Sequence, residues 1–279
     1  MVQNSYDGNP TLFLISTPIG NLEDMTYRSV KILSEVSVIF SEDTRVTLNL
    51  LSHYGISKKL IALHDHNEDI IKEKVLEYLR NGDSVGLVTD RGTPIISDPG
   101  YKTVKYVSDC GFNVVSLPGA TAFVPALVVS GIAPLPFLFY GFLDSRDSGK
   151  KRQLEFLADE EVTMIFYEAP HRIMKTLNMM LEVFGDRYIS ISREISKKFE
   201  TVYRGRISEV INLVPEKGEF VIVVDGVKDK RFDDSISVRM AVNNYIRAGF
   251  DVMTSIKKVA KDRGIPKNII YREYHEEDK

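Results

Sequence analysis

Thr89-Asp90-Arg91-Gly92-Thr93-Pro94-Ile95-Ile96-Ser97-Asp98-Pro99-Gly100 follows the short apolar run Val85-Gly86-Leu87-Val88. The run reads as a buried strand. The nine residues from Gly92 hold two prolines and two glycines, which no ordinary helix tolerates, so the chain here is a fixed irregular loop. Gly92 is free to take φ > 0, and Pro94 pushes Thr93 into an extended conformation. Asp90, Thr93, Ser97 and Asp98 then stand as polar side chains on a stiff backbone. A loop of this kind at a strand's carboxyl end is where an open α/β sheet holds a ligand. The plainer reading is a βα turn, but such turns run to about 2–6 residues, and this one is longer and more polar.

Working outward, apolar β-rich runs begin at Leu12, Val36, Leu60 and Ser84, an even spacing of 24 residues, and Asn113 to Leu117 closes the series. That interval suits a strand, a helix and two short loops, the βα unit. Amphipathic segments lie between, with helix stops at Tyr54-Gly55, Asn81-Gly82 and Cys110-Gly111. The residues just after each strand are Thr17-Pro18-Ile19-Gly20-Asn21, Ser41-Glu42-Asp43-Thr44-Arg45, His64-Asp65-His66-Asn67, the Thr89–Gly100 loop and Pro118-Gly119-Ala120-Thr121. A parallel sheet puts these loops along one edge. The opposite-edge loops, Ser57-Lys58-Lys59 and Asn81-Gly82-Asp83, read as plain solvated turns. Unusual polar chemistry on one edge only marks a site.

The second half opens with a helix from about Ala120, then strand Phe137 to Tyr140. Phe123 to Phe142 is apolar, but Pro125, Gly131, Pro134 and Pro136 break it, so it reads as a buried helix, a turn and a strand. Asp144 to Arg152 reads as a polar, basic loop carrying Lys150, Lys151 and Arg152. Strand Val162 to Tyr167 leads into Glu168-Ala169-Pro170-His171-Arg172, with Pro170 near a helix's first turn. Tyr188 to Ser192, Glu200 to Arg204 and Phe220 to Val224 read as strands, partly antiparallel. Lys228-Asp229-Lys230-Arg231 reads as a linker, followed by amphipathic helices around Val238–Ala248, Val252–Arg263 and Lys267–His275. The turn at Ala260–Gly264 has the look of a helix-turn-helix, but three short helices around a small core are commoner than DNA readers, and no DNA partner is expected.

At 279 residues with 43% hydrophobic and 27% charged residues, this is the composition of a globular protein of about two domains. The net charge of −3 argues against coating nucleic acid through bulk charge; a local basic patch would have to serve. Cys110 is the only cysteine, which leaves no disulfide framework. The polar stretch Met1 to Pro10 lacks the apolar run of a signal peptide. A cytoplasmic protein with no membrane partner is expected.

Neither a G-x-x-x-x-G-K-[ST] loop nor a G-x-G-x-x-G after the first strand is present, so ATP hydrolysis and a Rossmann-style cofactor lose ground. Proline-stiffened loops and neutral backbone groups better match a nucleoside or a similarly uncharged-to-cationic molecule. His64 and His66 sit two apart where a strand ends, with no third ligand evident. Hydrogen bonding is the better reading there, and no metal is expected. Glu42 and Asp43 fit either paired acid/base carboxylates or, at Asp43 or Thr44, a helix N-cap. Glu168, His171 and Arg172 form a second polar constellation. His171 is read evenly as a helix-start residue or a substrate contact.

Taken together, Thr17-Pro-Ile-Gly-Asn-Leu-Glu-Asp24, Glu42-Asp-Thr-Arg45, His66-Asn67, Gly92-Thr-Pro94 with Ile96-Ser-Asp-Pro-Gly100, Pro118-Gly119 and Tyr167-Glu-Ala-Pro-His-Arg172 resemble the ribosomal small-subunit RNA methyltransferase I family. That family is similar in fold to the tetrapyrrole (precorrin) methylases. The likeness runs from about Leu12 to Gly226, with six motifs in order. Arg91 stands where the family more often has alanine, and Glu168-Ala169 replaces the commoner Glu-Ser.

The resemblance implies S-adenosylmethionine-dependent 2′-O-methylation of a cytidine at the decoding centre of 16S rRNA in the small ribosomal subunit, by a homodimer. It implies two α/β domains of the tetrapyrrole methylase (class III methyltransferase) type with the cofactor folded into the cleft between them; the first sheet is expected to be mostly parallel, the second mixed, and the tail a small helical C-terminal domain. The boundaries fall at 1–117, 118–227 and 228–279. Cofactor contacts are expected from Pro18, Asp90, Gly92, Thr93 and Pro94, and from Pro118, Gly119, Ala120 and Thr121. RNA contacts are expected from Asn21, Arg45, His66 and Asn67, from Lys150, Lys151 and Arg152, and from His171 and Arg172. Glu42, Asp43 and Glu168 are the candidate bases. Two other readings stay open: a tetrapyrrole small-molecule methylase, and a non-catalytic ribosome-binding protein of the same fold.

Overall fold

A computed structural model describes residues 3–5, 7–227, 236–247 and 249–276. Four βα units and a fifth strand open the chain: β1 (Thr11–Ile15), α1 (Tyr27–Glu35), β2 (Val38–Ser41), α2 (Thr44–His53), β3 (Lys59–Ala62), α3 (Glu68–Arg80), β4 (Val85–Val88), α4 (Tyr101–Asp109) and β5 (Asn113–Leu117). The strands pair in the order β3-β2-β4-β1-β5, all parallel. β2 and β4 are buried at every position, as expected of strands covered on both faces. Val75, Leu79 and Val107 of α3 and α4 pack on one face, with Leu12, Phe40 and Leu87. Leu33 and Leu51 of α1 and α2 pack on the other, with Ile15 and Ile39.

The chain continues through α5 (Phe123–Val129), β6 (Phe137–Phe142), α6 (Asp147–Leu157), β7 (Thr163–Glu168), α7 (Ile173–Phe184), β8 (Tyr188–Arg193), β9 (Thr201–Arg206), α8 (Ile207–Val210) and β10 (Phe220–Val224). Their sheet runs β6-β7-β10-β8-β9 and is mixed: β6 and β7 are parallel, the other pairs antiparallel. Leu154, Leu177 and Val210 cover one face, and Ala126 and Leu127 of α5 the other. The mostly parallel first sheet and mixed second sheet are those expected.

One stretch differs. Lys150, Lys151 and Arg152 lie within helix α6, not in a loop. Asp144 closes the turn just before the helix by accepting from the Arg146 amide (2.8 Å), and Lys150, Leu154 and Leu157 are buried along the helix. Their spacing of four and three is a helical stripe.

Contacts divide the chain into two compact units, Met1–Gly226 and Val227–Lys279. The second unit contains α9 (Val238–Arg247), α10 (Val252–Arg263) and α11 (Lys267–Glu276), close to the expected helices. Its own core is built from Val238, Val242, Ile256, Val259 and Ile270. The expected linker Lys228 to Arg231 and Ala248 lie outside the described residues. Among the described residues no helix is long and apolar enough to cross a membrane.

Candidate active site

The loops at the carboxyl edge of the first sheet are bonded to one another. Thr17 and Gly92 exchange backbone hydrogen bonds of 2.9 and 3.0 Å, and the Thr17 hydroxyl donates to the Thr89 carbonyl (3.1 Å). Thr93 donates its hydroxyl to the Ala120 carbonyl (3.0 Å) and lies 3.0 Å from the Ser16 hydroxyl. The loops after β1, β4 and β5 therefore form one wall. Gly92 has φ +85°, a conformation that favours glycine, and an added Cβ would sit in tight contact, 3.3 Å, with the Ile19 side chain. At Gly119 an added Cβ would lie 2.5 Å from that of Ser16. The two loops approach that closely only without a side chain.

Against this wall lies a cavity of about 360 Å³ that also takes in the ends of β6, β7 and β10, within the usual range for small-molecule sites. Gly92, Thr93, Ser97, Asp98 and Thr121 line it from the first sheet, and Phe142, Tyr167, Ala169 and Pro170 from the second. Ile95 and Ser97 hold φ of +77° and +70°. Positive φ is unusual for non-glycine residues, and most of all for a β-branched one. The strained stretch aims Ile96, Ser97 and Asp98 into the cavity. Burial pushes the Asp98 carboxyl up to about 6, with the charges of Glu42, Asp90 and Asp65 adding to the effect and Thr89 opposing it. Burial likewise raises the Tyr167 phenol.

A second cavity, about 520 Å³, adjoins the first at Ile19, Thr121 and Ile195 and includes Gly119 and Ala120. A third, about 460 Å³, meets the first at Arg91 and is lined by Pro18, Asp90, His53 and Lys197. Of the expected cofactor residues, Gly92, Thr93 and Thr121 thus line the first cavity. Gly119 and Ala120 border the second, Pro18 and Asp90 the third, and Pro94 and Pro118 line none of the three. Arg91 pairs with Glu219 across the rim of the first cavity, which accounts for a long cation at this position.

The expected bases have separate fates. Glu42 accepts from the Thr89 hydroxyl (2.7 Å) and ties the β2 loop to the β4 loop. Asp43 is the N-cap of α2, accepting from the Arg45 amide at 2.8 Å and from its guanidinium at 2.6 and 3.0 Å. Those bonds hold its carboxyl down at about 2. Glu168 is sealed: its side chain is 0% exposed and meets Lys150 (3.3 Å) and Arg172 (3.1 Å). It also accepts from the Thr176 hydroxyl (2.5 Å) and the Ala169 amide (2.9 Å). Glu168 nevertheless borders the first cavity, beside Tyr167, Ala169 and Pro170.

Several expected RNA contacts are also used within the protein. Lys150 is 2% exposed, bonded to Glu168 and to Thr176 (2.5 Å), so it is not available to a phosphate. Burial lowers its ammonium pKa, against the pull of Glu168. Lys151 pairs with Glu182 (2.6 Å) on the surface, and Arg152 is exposed. Arg172 donates to the carbonyls of Leu143 (2.7 Å) and Asp144 (3.0 Å). Asn21 caps a single 3-10 turn at Leu22–Asp24. Asn67 closes its own turn onto Ala62 and His64. His66 and His171 are exposed. Sequence reading did not name Phe142, and it set Asp98 among the polar side chains of the decisive loop without giving it a role of its own.

Two α/β layers around a cavity stitched at strand ends define a class. The family described as Tetrapyrrole (Corrin/Porphyrin) Methylases matches residues 11–211. A solved uroporphyrin-III-C-methyltransferase from Thermus thermophilus shares the fold at a TM-score of 0.56 and 17% identity, covering 78% of this chain and 94% of that one. A Bacillus subtilis (strain 168) protein named ribosomal RNA small subunit methyltransferase I is 44% identical over 98% of both chains. One of the same name from Halalkalibacterium halodurans is 41% identical over 99% of both. The chain is a methyltransferase of the tetrapyrrole methylase family and belongs within it to the ribosomal RNA small subunit methyltransferase I family.

S-adenosylmethionine is the methyl donor that membership implies, and the first cavity fits it. Ile19, Ile96, Phe142 and Val221 offer apolar surface for a purine, and Thr93, Ser97 and Thr121 offer hydroxyls. The donor has no phosphates and carries a sulfonium, which suits a wall of neutral backbone with carboxylates behind it. When bound, it supplies an electrophilic methyl group.

Proposed function

We propose that the protein methylates the ribose 2′-hydroxyl of a cytidine in 16S rRNA, at the decoding centre of the small ribosomal subunit, in the cytoplasm and as a homodimer. The observation that carries this reading is identity of 44% over 98% of both chains to a protein named for ribosomal RNA small subunit methylation. A 2′-hydroxyl target also makes the substrate RNA rather than DNA. In this reading the division of the chain is 1–117, 118–227 and 228–279.

The nucleotide enters beside the donor, where the second cavity meets the first at Ile19 and Thr121. A ribose hydroxyl is a weak nucleophile, so most of the rate comes from orientation, worth up to about 7–11 kcal/mol, with a base adding about 10²–10⁴-fold. Among Glu42, Asp43, Glu168 and Asp98 the base is Asp98. Asp98 is a half-buried member of the cavity lining, whereas Glu42 is held by Thr89, Asp43 is committed to Arg45, and Glu168, though it borders the same cavity, has a fully buried side chain paired with Lys150 and Arg172. Asp98 would take the hydroxyl proton and pass it to solvent, while the bound donor would supply the methyl group and leave, its C–S bond broken, as a neutral thioether.

The test is methyl transfer from labelled S-adenosylmethionine to purified small subunits lacking the modification, with the nucleotide mapped by mass spectrometry. Label on one cytidine ribose is expected. Gly92→Val, which forces a β-branched residue to φ > 0, should transfer nothing and show no donor binding by calorimetry. Label on a base, or on a tetrapyrrole instead of RNA, overturns the assignment.

A further inference from the structure

We propose that the C-terminal helical unit is a phosphate-binding surface that grips the RNA backbone; this rests on RNA being the substrate. In the first unit, exposed cations are repeatedly neutralised by carboxylates. Arg45 is met by Asp43, Lys102 by Asp69, Lys105 by Asp109, Lys151 by Glu182 and Lys175 by Asp147, at 2.5–2.7 Å. The C-terminal unit is built differently. Over 227–279 the sequence holds twelve Lys and Arg against nine Asp and Glu, a balance of +3 in a chain of −3, and the described residues hold eight (239, 247, 257, 258, 261, 263, 267, 272) against four (251, 262, 273, 276).

Two of those four carboxylates are already engaged. Asp251 caps α10 through the Thr254 amide (3.0 Å), and Asp262 accepts from the Tyr245 hydroxyl (2.5 Å). Two of the cations are also used: Lys258 lies over the rings of Phe250 (4.4 Å) and Tyr245 (5.5 Å), and Arg263 donates to the Ile236 carbonyl (2.7 Å). Arg247, Lys257, Lys261, Lys267 and Arg272 are all exposed. None of the five has a carboxylate within ion-pair distance among the described residues. Lys257 and Lys261 stand one turn apart on one face of α10, and Lys267 and Tyr271 likewise on α11. Tyr271 is 46% exposed and offers a ring on which an unpaired base stacks.

Unpaired like charges on a small module repel one another, and a polyanion relieves that repulsion while releasing its own counterions. RNA supplies both the phosphates and a base for Tyr271. The chain's overall charge gives no such attraction, and Lys150 and Lys151 are spent on Glu168 and Glu182.

The test is a full-length variant carrying Lys257→Gln, Lys261→Gln, Lys267→Gln and Arg272→Gln, all at exposed positions, with helicity checked by circular dichroism. Binding to purified small subunits is measured across salt concentrations. Each lost phosphate contact flattens the log–log slope by about 0.7–0.9, so a drop of roughly three is expected. Affinity for S-adenosylmethionine should be unchanged. A slope equal to wild type overturns the proposal, as does weaker binding at unchanged slope, which would point to a protein surface on the subunit. Failure of the wild-type protein to methylate subunits would instead defeat the substrate reading. A wild type that methylates, beside a variant that binds equally well, defeats only the C-terminal surface.

Discussion

Asp98 joins two properties seldom found in a surface carboxylate: it lines a cavity, and burial pushes its pKa from 3.8 up to about 6. The native state therefore binds its proton more tightly than the unfolded chain does. By linkage, the contribution of that proton to stability is full below about 3.8 and is lost as pH rises through about 6. Asp98→Asn, a neutral mimic of the protonated form, should melt higher than wild type at pH 8, and the gap should close towards pH 4. The same variant should lose about two to four orders of magnitude in turnover with donor affinity nearly intact. Stability gained where activity is lost is the usual mark of a strained functional residue. Equal melting temperatures at pH 8, measured by calorimetry, would contradict the burial argument. At this scale the decisive loop was legible, because proline and glycine punctuate it. Arg91 was not: its partner Glu219 lies 128 positions on, and only the folded chain brings them together.

Helix α6 shows what a charged string conceals. Lys150-Lys151-Arg152 reads as a basic patch, yet adjacent residues on a helix point in different directions, about 100° apart. Lys150 falls on the stripe of Leu154 and Leu157 and goes inside, while Lys151 faces solvent. The stripe is a local signal carried by the sequence itself. Inside, Lys150 helps to fix the end of β7 through Glu168, and Arg172 carries the same carboxylate's grip to Leu143 and Asp144 after β6. One sealed ion cluster thus sets two strand ends that border the cavity. Lys150→Met leaves Glu168 with one cationic partner and should cost about 3 kcal/mol, the lower end for breaking a buried pair. Lys151→Ala breaks an exposed pair and should cost less than about 1 kcal/mol. Urea denaturation separates the two; similar losses would place Lys150 at the surface.

On the scale of the molecule, the two units have separate cores. The clusters under the two sheets draw on residues up to Val224, and the C-terminal cluster begins at Ile236. Cores that share no side chains melt independently unless an interface couples them. Scanning calorimetry should therefore show more than one transition, with the smaller belonging to the C-terminal helices; a single two-state peak would contradict this. The parallel sheet and the tail helices were legible from apolar spacing, since strand burial and helical stripes are local signals. The cavity was only half legible, because Phe142 and Tyr167 reach it from a second sheet whose placement no local pattern records. The cross-bonded wall formed by Thr17, Gly92, Thr93 and Ala120 also governs how a ligand is received. Loops that are already ordered lose little conformational freedom on binding, so their ordering entropy is incurred during folding and not at each encounter. The donor meets a surface already in its receiving shape. Discrimination between the methylated donor and its spent thioether then falls to direct contact with the sulfonium charge, since closure of this wall has little free energy to contribute.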